Sequence, residues 1–194
     1  MDLNTKQHQL KPIYSEFETR TEAYTADAIC KAGCAFCCTH YGTLDITTLE
    51  GWVIRDWILK LGASRRTAML KKLEKNRKRK EQGNSARCPF LTRDNTCSIY
   101  DIRPFSCRQL YSLKPCTEKG PTVHRQVVEL ARDTVRRLQQ LDGTGYSGHI
   151  SYILHMFSHP AFRRRYAAGE YKPEEIIDFG KSHGLVINRM VSPA

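Results

Sequence analysis

Four thiols fall within nine residues, Cys30-x3-Cys34-x2-Cys37-Cys38, and four more follow at Cys88, Cys97, Cys107 and Cys116. No other feature restricts the chain so strongly. The spacing of the first group lets three or four sulfurs converge on one or two soft metal ions. A closed zinc site takes four protein ligands, and an iron–sulfur cluster commonly takes four thiolates, so eight thiols suffice for two such sites. Disulfides are the competing explanation, and composition argues against them. Eight cysteines in 194 residues are well below the roughly 8–10% of a small secreted disulfide scaffold. A chain of this length can also bury roughly two thirds of its unfolded surface without covalent staples. The opening MDLNTKQHQLKPIYSE lacks the apolar core of a signal peptide. No apolar run approaches the ~20 residues of a membrane span. The expectation is a cytoplasmic protein with reduced thiols.

The organisation reads as one domain over residues 1–194, with a cysteine-cluster region at 30–116 and a helical region at 121–194. The expected fold class is mainly α, a helical shell around an irregular cysteine-rich metal-binding centre with a small β-hairpin. Tyr14 to Ala28 contains no Gly or Pro and predicts a helix leading into a tight loop around Gly33. Thr47-x-x-Glu50 has the form of a capping box, so a helix should start there and continue through Leu49, Val53, Trp57 and Leu61 to Gly62. Ser64 is the expected cap of the next helix, running to Glu81 with Met69, Leu70 and Leu73 on one side. Cys88 to Tyr100, interrupted by Arg93-Asp94-Asn95, suggests the hairpin. Beyond Pro121 an apolar stripe of Val123, Val127, Leu130, Ala131, Leu138 and Leu141 marks a long helix. Ile150 to Phe157, Ala161 to Ala168 and Glu174 to Lys181 are expected to be helical too, the last opened by Pro173.

Four thiolates around a zinc ion carry a net charge of −2, so the site should gather positive neighbours and N–H donors. Arg87, Arg103 and Arg108 adjoin the later cysteines and are the candidates. Successive side chains of an extended segment point to opposite faces, so Cys37 and Cys38 would most simply serve different sites.

Cys30-x3-Cys34-x2-Cys37-Cys38, Cys88-Pro89-Phe90-Leu91 and Cys97-x-Ile99-Tyr100-x2-Arg103-Pro104-x2-Cys107-Arg108 together resemble the YkgJ family of cysteine-cluster proteins. That resemblance, over roughly Cys30 to Cys116, implies a zinc- or iron-chelating domain, with an iron–sulfur cluster as one form of the bound metal. The family motif has two residues between its first two cysteines, whereas this chain has three. The interval Cys30-x3-Cys34-x2-Cys37 also matches the cluster loop of radical S-adenosylmethionine enzymes, but the alternating strands and helices of their barrel are not evident. Flagellin lysine N-methylases carry a similar cysteine cluster, which makes an iron–sulfur, S-adenosylmethionine-dependent protein-modifying enzyme the alternative reading.

Nitrogen and oxygen ligands are weaker candidates. His40 lies two residues past the first cluster, with His124, His155 and His159 further away. Asp27, Asp45, Asp94 and Asp101 are accounted for by caps and turns. No phosphate loop, Ser-His-Asp arrangement or HExxH motif occurs. Lys60 to Glu81 holds ten Lys or Arg and two Glu, so +8 of the chain's +11 lies in this short stretch. A basic helix over 64–81 could contact an acidic partner or, as a metal-stabilised module, nucleic acid. No aromatic residue is interleaved in it to stack on bases, so a solvated face is the preferred reading.

Overall fold

The first helix begins well before its expected start. In a computed structural model describing residues 1–40, 44–84, 86–117, 120–170 and 172, α1 spans Leu3–Thr25 and passes through Pro12. Asp2 caps it by accepting from the Thr5 amide at 2.9 Å. A proline inside a helix costs ~3 kcal/mol, because it cannot donate to the carbonyl a turn earlier and its ring crowds that group. Leu10 and Ile13, buried on either side of Pro12, offset this by ~1.5–3 kcal/mol each. With Tyr14 and Phe17 they form a stripe at i, i+3, i+4 and i+7 that packs in one core with Val127, Ala131 and Leu138.

A short helix α2 (Phe36–His40) carries Cys37 and Cys38. Strand β1 (Asp45–Thr47) follows, then α3 (Thr48–Lys60) and α4 (Ala63–Glu81). The chain next crosses the cysteine-rich segment, with one turn of 3-10 helix at Tyr100–Ile102 and a short α5 (Phe105–Arg108). Helix α6 (Arg125–Leu141), strand β2 (Ser147–His149), α7 (Ile150–Met156) and α8 (Pro160–Ala167) complete the described elements. The expected helix over Glu174 to Lys181 lies outside the described residues.

Helix dominates, as expected, and the β structure is small. Among the described residues the one two-stranded sheet pairs β1 antiparallel to β2, with Asp45 opposite His149 and Thr47 opposite Ser147. It joins segments far apart in sequence, which no local pattern could announce. The expected hairpin is present as a turn closed by one bridge, Leu91 to Cys97. Its tip turns at Asn95, whose φ of 57° is the left-handed conformation that Asn tolerates.

Two local expectations change. Gly62, not Ser64, precedes the first turn of α4, with no side-chain cap. Met69 and Leu73 are buried but Leu70 is exposed, because the buried side of α4 is completed by Asn76 instead. The two tryptophans lie only partly buried against the core. The basic run is helical, and its Arg65, Lys71, Lys72, Lys75 and Arg79 are exposed.

The N-terminus of α3 is the junction of the fold. Its first amides are buried and would be orphaned without acceptors. The capping box forms as expected: Thr47 Oγ1 accepts from the Glu50 amide, and Glu50 accepts from the Thr47 amide at 2.8 Å. Both flanking carboxylates also do something the box does not require. Glu50 accepts from Tyr14 Oη and from the Phe105 amide, each at 2.7 Å, binding α1 and α5 to α3. Asp142, just past α6, accepts from the Leu49 amide at 2.9 Å, from the Thr48 hydroxyl and from Tyr166 Oη at 2.7 Å. That group ties α3, α6 and α8 together. Gly145 passes so close that a Cβ there would meet Thr48 Oγ1 and the Asp142 carboxylate.

Burial raises the Asp142 carboxyl to about 6, against the three donors that lower it. A carboxyl with a raised folded-state pKa keeps its proton in the folded protein while the unfolded chain gives it up. Its contribution is therefore complete below about pH 4 and is lost as pH rises through 6, in all by about 3 kcal/mol. Asp142→Asn removes this titration. The stability difference between wild type and variant, from urea unfolding, should move in the variant's favour by that amount between about pH 3 and 7. Parallel profiles would contradict it.

Candidate metal centre

The eight cysteines come from four stretches of chain. Cys30 and Cys34 lie in the exposed turn between α1 and α2, where Gly33 takes a φ of 85°. The turn is fastened at its base by the Ile29 amide, which donates to the Ser112 carbonyl at 2.9 Å. Ser112 in turn organises the loop that carries Cys116: its hydroxyl accepts from the Thr122 amide and donates to the Lys114 carbonyl. One bond thus brings the first and last cysteines of the chain into the same region.

Cys37 and Cys38 are helical, not extended as assumed above. Neighbours on a helix still point about 100° apart, from its 3.6 residues per turn, so the two thiols diverge. Burial pushes Cys37 up to about 11, and the nearby thiols of Cys116, Cys30, Cys38 and Cys34 add their repulsion in that order. Cys38 turns toward the second group. The Cys88 amide donates to the Cys38 carbonyl at 2.7 Å. Pairing with the Cys88 thiol pulls Cys38 down to about 7, with Arg87 helping and burial opposing. The same pairing, then burial, holds Cys88 far above the usual thiol range. Burial also raises Cys97 and Cys107, and the charge of Cys38 raises both further.

Local structure explains the positions of these last thiols. Cys97 is fixed by its bridge to Leu91 and by the Ser98 amide donating to the Phe90 carbonyl. Cys107 sits on α5, whose first amide, that of Phe105, is held by Glu50. Ser106 adds a bond from its hydroxyl to the Asp45 carbonyl on β1.

Seven of the eight cysteines line one cavity of about 640 Å³, with Cys116 outside its wall. Leu44, Leu91, Leu110 and Ile150 provide apolar lining, while Asn76, His149, Arg103 and Arg108 provide polar lining. Among the described residues, no three Cys, His, Asp or Glu side chains are grouped closely enough to hold an ion as they stand. The donor set nevertheless suits a soft metal: seven thiols on the walls of a shared cavity, with Cys116 beside Cys37, make up the eight that two tetrahedral sites require.

Arg103 and Arg108 line this cavity and Arg87 does not, and all three spend their described hydrogen bonds elsewhere. Arg87 donates to the Thr92 carbonyl and Asn95 Oδ1, closing the turn before Cys97. Arg103 lies over the Tyr100 ring. Arg108 stacks on Tyr14 and donates to Glu18 and to the Arg103 and Asp101 carbonyls. Their charge still reaches the sulfurs, Arg87 acting on Cys38 and Arg103 on Cys97 and Cys107.

His40 stacks on Phe36 and pairs with the Thr39 hydroxyl. His124 caps α6 and stacks on Tyr24, and His155 and His159 meet each other edge to face. None of these four lines the cavity. Two contributors escaped the sequence reading. Asn76 donates to the Arg87 carbonyl at 2.9 Å, steadying the residue before Cys88. It stands seven residues after Met69 and three after Leu73, a polar residue interrupting an apolar stripe. Ser112 is buried in a loop with no periodicity and left no such trace.

Residues 29–126, just over half of the chain, match the CxxCxxCC family model, described as a "putative zinc- or iron-chelating domain". The chain belongs to this family. The match begins next to Cys30 and extends past Cys116 into α6, so it spans the whole cysteine set. No curated protein and no solved structure matches the chain.

In metal-free protein, exposure and pKa together order the thiols by reactivity. Pulsed alkylation at neutral pH with peptide mapping should label the exposed Cys30 and Cys34 well before Cys88 and Cys107. Each unit of raised pKa removes about ten-fold of the reactive thiolate. Labelling of Cys88 or Cys107 as fast as Cys30 would contradict this geometry.

Proposed function

We propose that this zinc- or iron-chelating protein holds two metal centres, one on Cys30, Cys34, Cys37 and Cys116 and the other on Cys38, Cys88, Cys97 and Cys107. The observation that carries the reading is the parting of the adjacent thiols. Cys37 and Cys38 diverge on α2, and Cys38 is joined to Cys88 by the backbone bond from the Cys88 amide to the Cys38 carbonyl, whereas the thiols that act most strongly on Cys37 are Cys116 and Cys30. Thiols crowded without a cation repel once ionised, and a bound cation converts that repulsion into attraction. Arg87, Arg103 and Arg108 then offset the negative charge left by four thiolates per centre.

The same sulfurs serve zinc ions and iron–sulfur clusters alike. A tetrathiolate zinc is structural, whereas an iron–sulfur cluster adds electron transfer or sensing. Both need reduced thiols, which fits a reducing compartment such as the cytoplasm.

Elemental analysis, acid-labile sulfide and an absorption spectrum of protein purified without air identify the metal. Cys34→Ser and Cys107→Ser should each remove about half of it, and the double variant nearly all, with a lower melting temperature as metal binding is coupled to folding. Equal losses in all three variants would mean one cooperative site, and wild type holding a single ion would end the two-centre reading.

A further inference from the structure

The two groups of thiols differ in how firmly the fold holds them. Residues 29–34 are exposed without interruption, Ile29 at 50%. This turn carries two of the first group's cysteines. Its described backbone bonds to other parts of the chain reduce to the one from Ile29 to Ser112. Cys34 adds only a local bond to Lys31, and no neighbour comes within 4 Å of where a Gly33 Cβ would lie. The second group is set among fully buried side chains. Phe90 and Ile99 flank Cys88 and Cys97, and Phe105 precedes Cys107. Its backbone is held by the bond between Cys88 and Cys38, the bridge at Cys97 and the Glu50 carboxylate before Cys107.

Building on the two-centre reading, we propose that the group Cys30, Cys34, Cys37 and Cys116 is an exchange site, passing its metal to and from thiol-bearing acceptors. The group Cys38, Cys88, Cys97 and Cys107 retains its metal as part of the fold. Ligand exchange at a thiolate-bound ion needs an incoming sulfur to reach the metal and a protein sulfur to swing away. An exposed turn with a single outside tether permits both steps, whereas cysteines fixed between buried aromatics permit neither. In each step one metal–sulfur bond to Cys30 or Cys34 breaks as one to the incoming sulfur forms. The proton of the incoming thiol passes to the released cysteine, and no electrons change hands. Ile29, apolar and exposed beside Cys30, offers an acceptor protein a contact at the point of transfer.

The test uses the full chain reconstituted with zinc(II), challenged with glutathione and a chromogenic zinc chelator. Release should occur in two phases, with about half of the zinc in the fast one. Raising glutathione should accelerate the fast phase and leave the slow one unchanged. Cys30→Ser, and independently Cys116→Ser, should abolish the fast phase while preserving the slow phase and the helical circular dichroism. Cys97→Ser should leave the fast phase in place. Two zinc ions released in a single phase would overturn the exchange proposal alone, as would loss of the fast phase in Cys97→Ser. Reconstitution with one zinc ion per chain would overturn the two-centre reading and this proposal with it.

Discussion

The buried carboxylate of Glu50 joins α1, α3 and α5 at a single point. It closes the first turn of α3, receives the Tyr14 hydroxyl from α1, and accepts the first amide of α5, the helix that carries Cys107. Without an acceptor each of these buried donors would cost about 1–3 kcal/mol. The cysteine-rich segment is thereby tied to the start of α3, in addition to its links through Asn76 and Arg108 and the burial of Phe90 and Ile99. Asp142 repeats the device on the other side of the same helix start, securing the chain after α6 and the tyrosine of α8. Two carboxylates at the N-terminus of one helix also complement its dipole.

Around this junction the protein divides its work between two kinds of cohesion. The helices are held by apolar burial, in one cluster between α1 and α6 and another joining α3, α4, α7 and α8. The segment between Arg87 and Cys116 has little regular structure, and its thiols are arranged by turns, single bridges and backbone bonds. Crowded thiols are a poor source of cohesion by themselves, since burial and mutual repulsion both disfavour their ionised form. A bound cation reverses this, and in its absence Arg87 favours the ionised form of Cys38 and Arg103 that of Cys97 and Cys107. Helix α4 serves both parts: Met69 and Leu73 enter the core while Asn76 supports the backbone before Cys88. Its opposite side carries much of the chain's positive charge into solvent.

Where the residues alone sufficed, the information was local. Thr47 and Glu50 specify their capping box across three residues, the stripe of α6 follows from its period, and Arg93-Asp94-Asn95 marks a turn because Asn tolerates the left-handed conformation. The cysteine spacing likewise announced soft-metal chelation, because thiol chemistry does not depend on the fold. The extended segment assumed at Cys37 and Cys38 is instead a turn of helix, because no local signal marked the short α2. Only tertiary contacts settled the rest. Pro12 lies within α1 because burial of Leu10 and Ile13 outweighs the lost bond, and β1 finds β2 across more than ninety residues. Glu50 reaches Tyr14 and Phe105, and Ser112 brings Cys30 toward Cys116. These pairings depend on which distant groups the packed helices bring within hydrogen-bonding reach, and spacing along the chain carries no record of that.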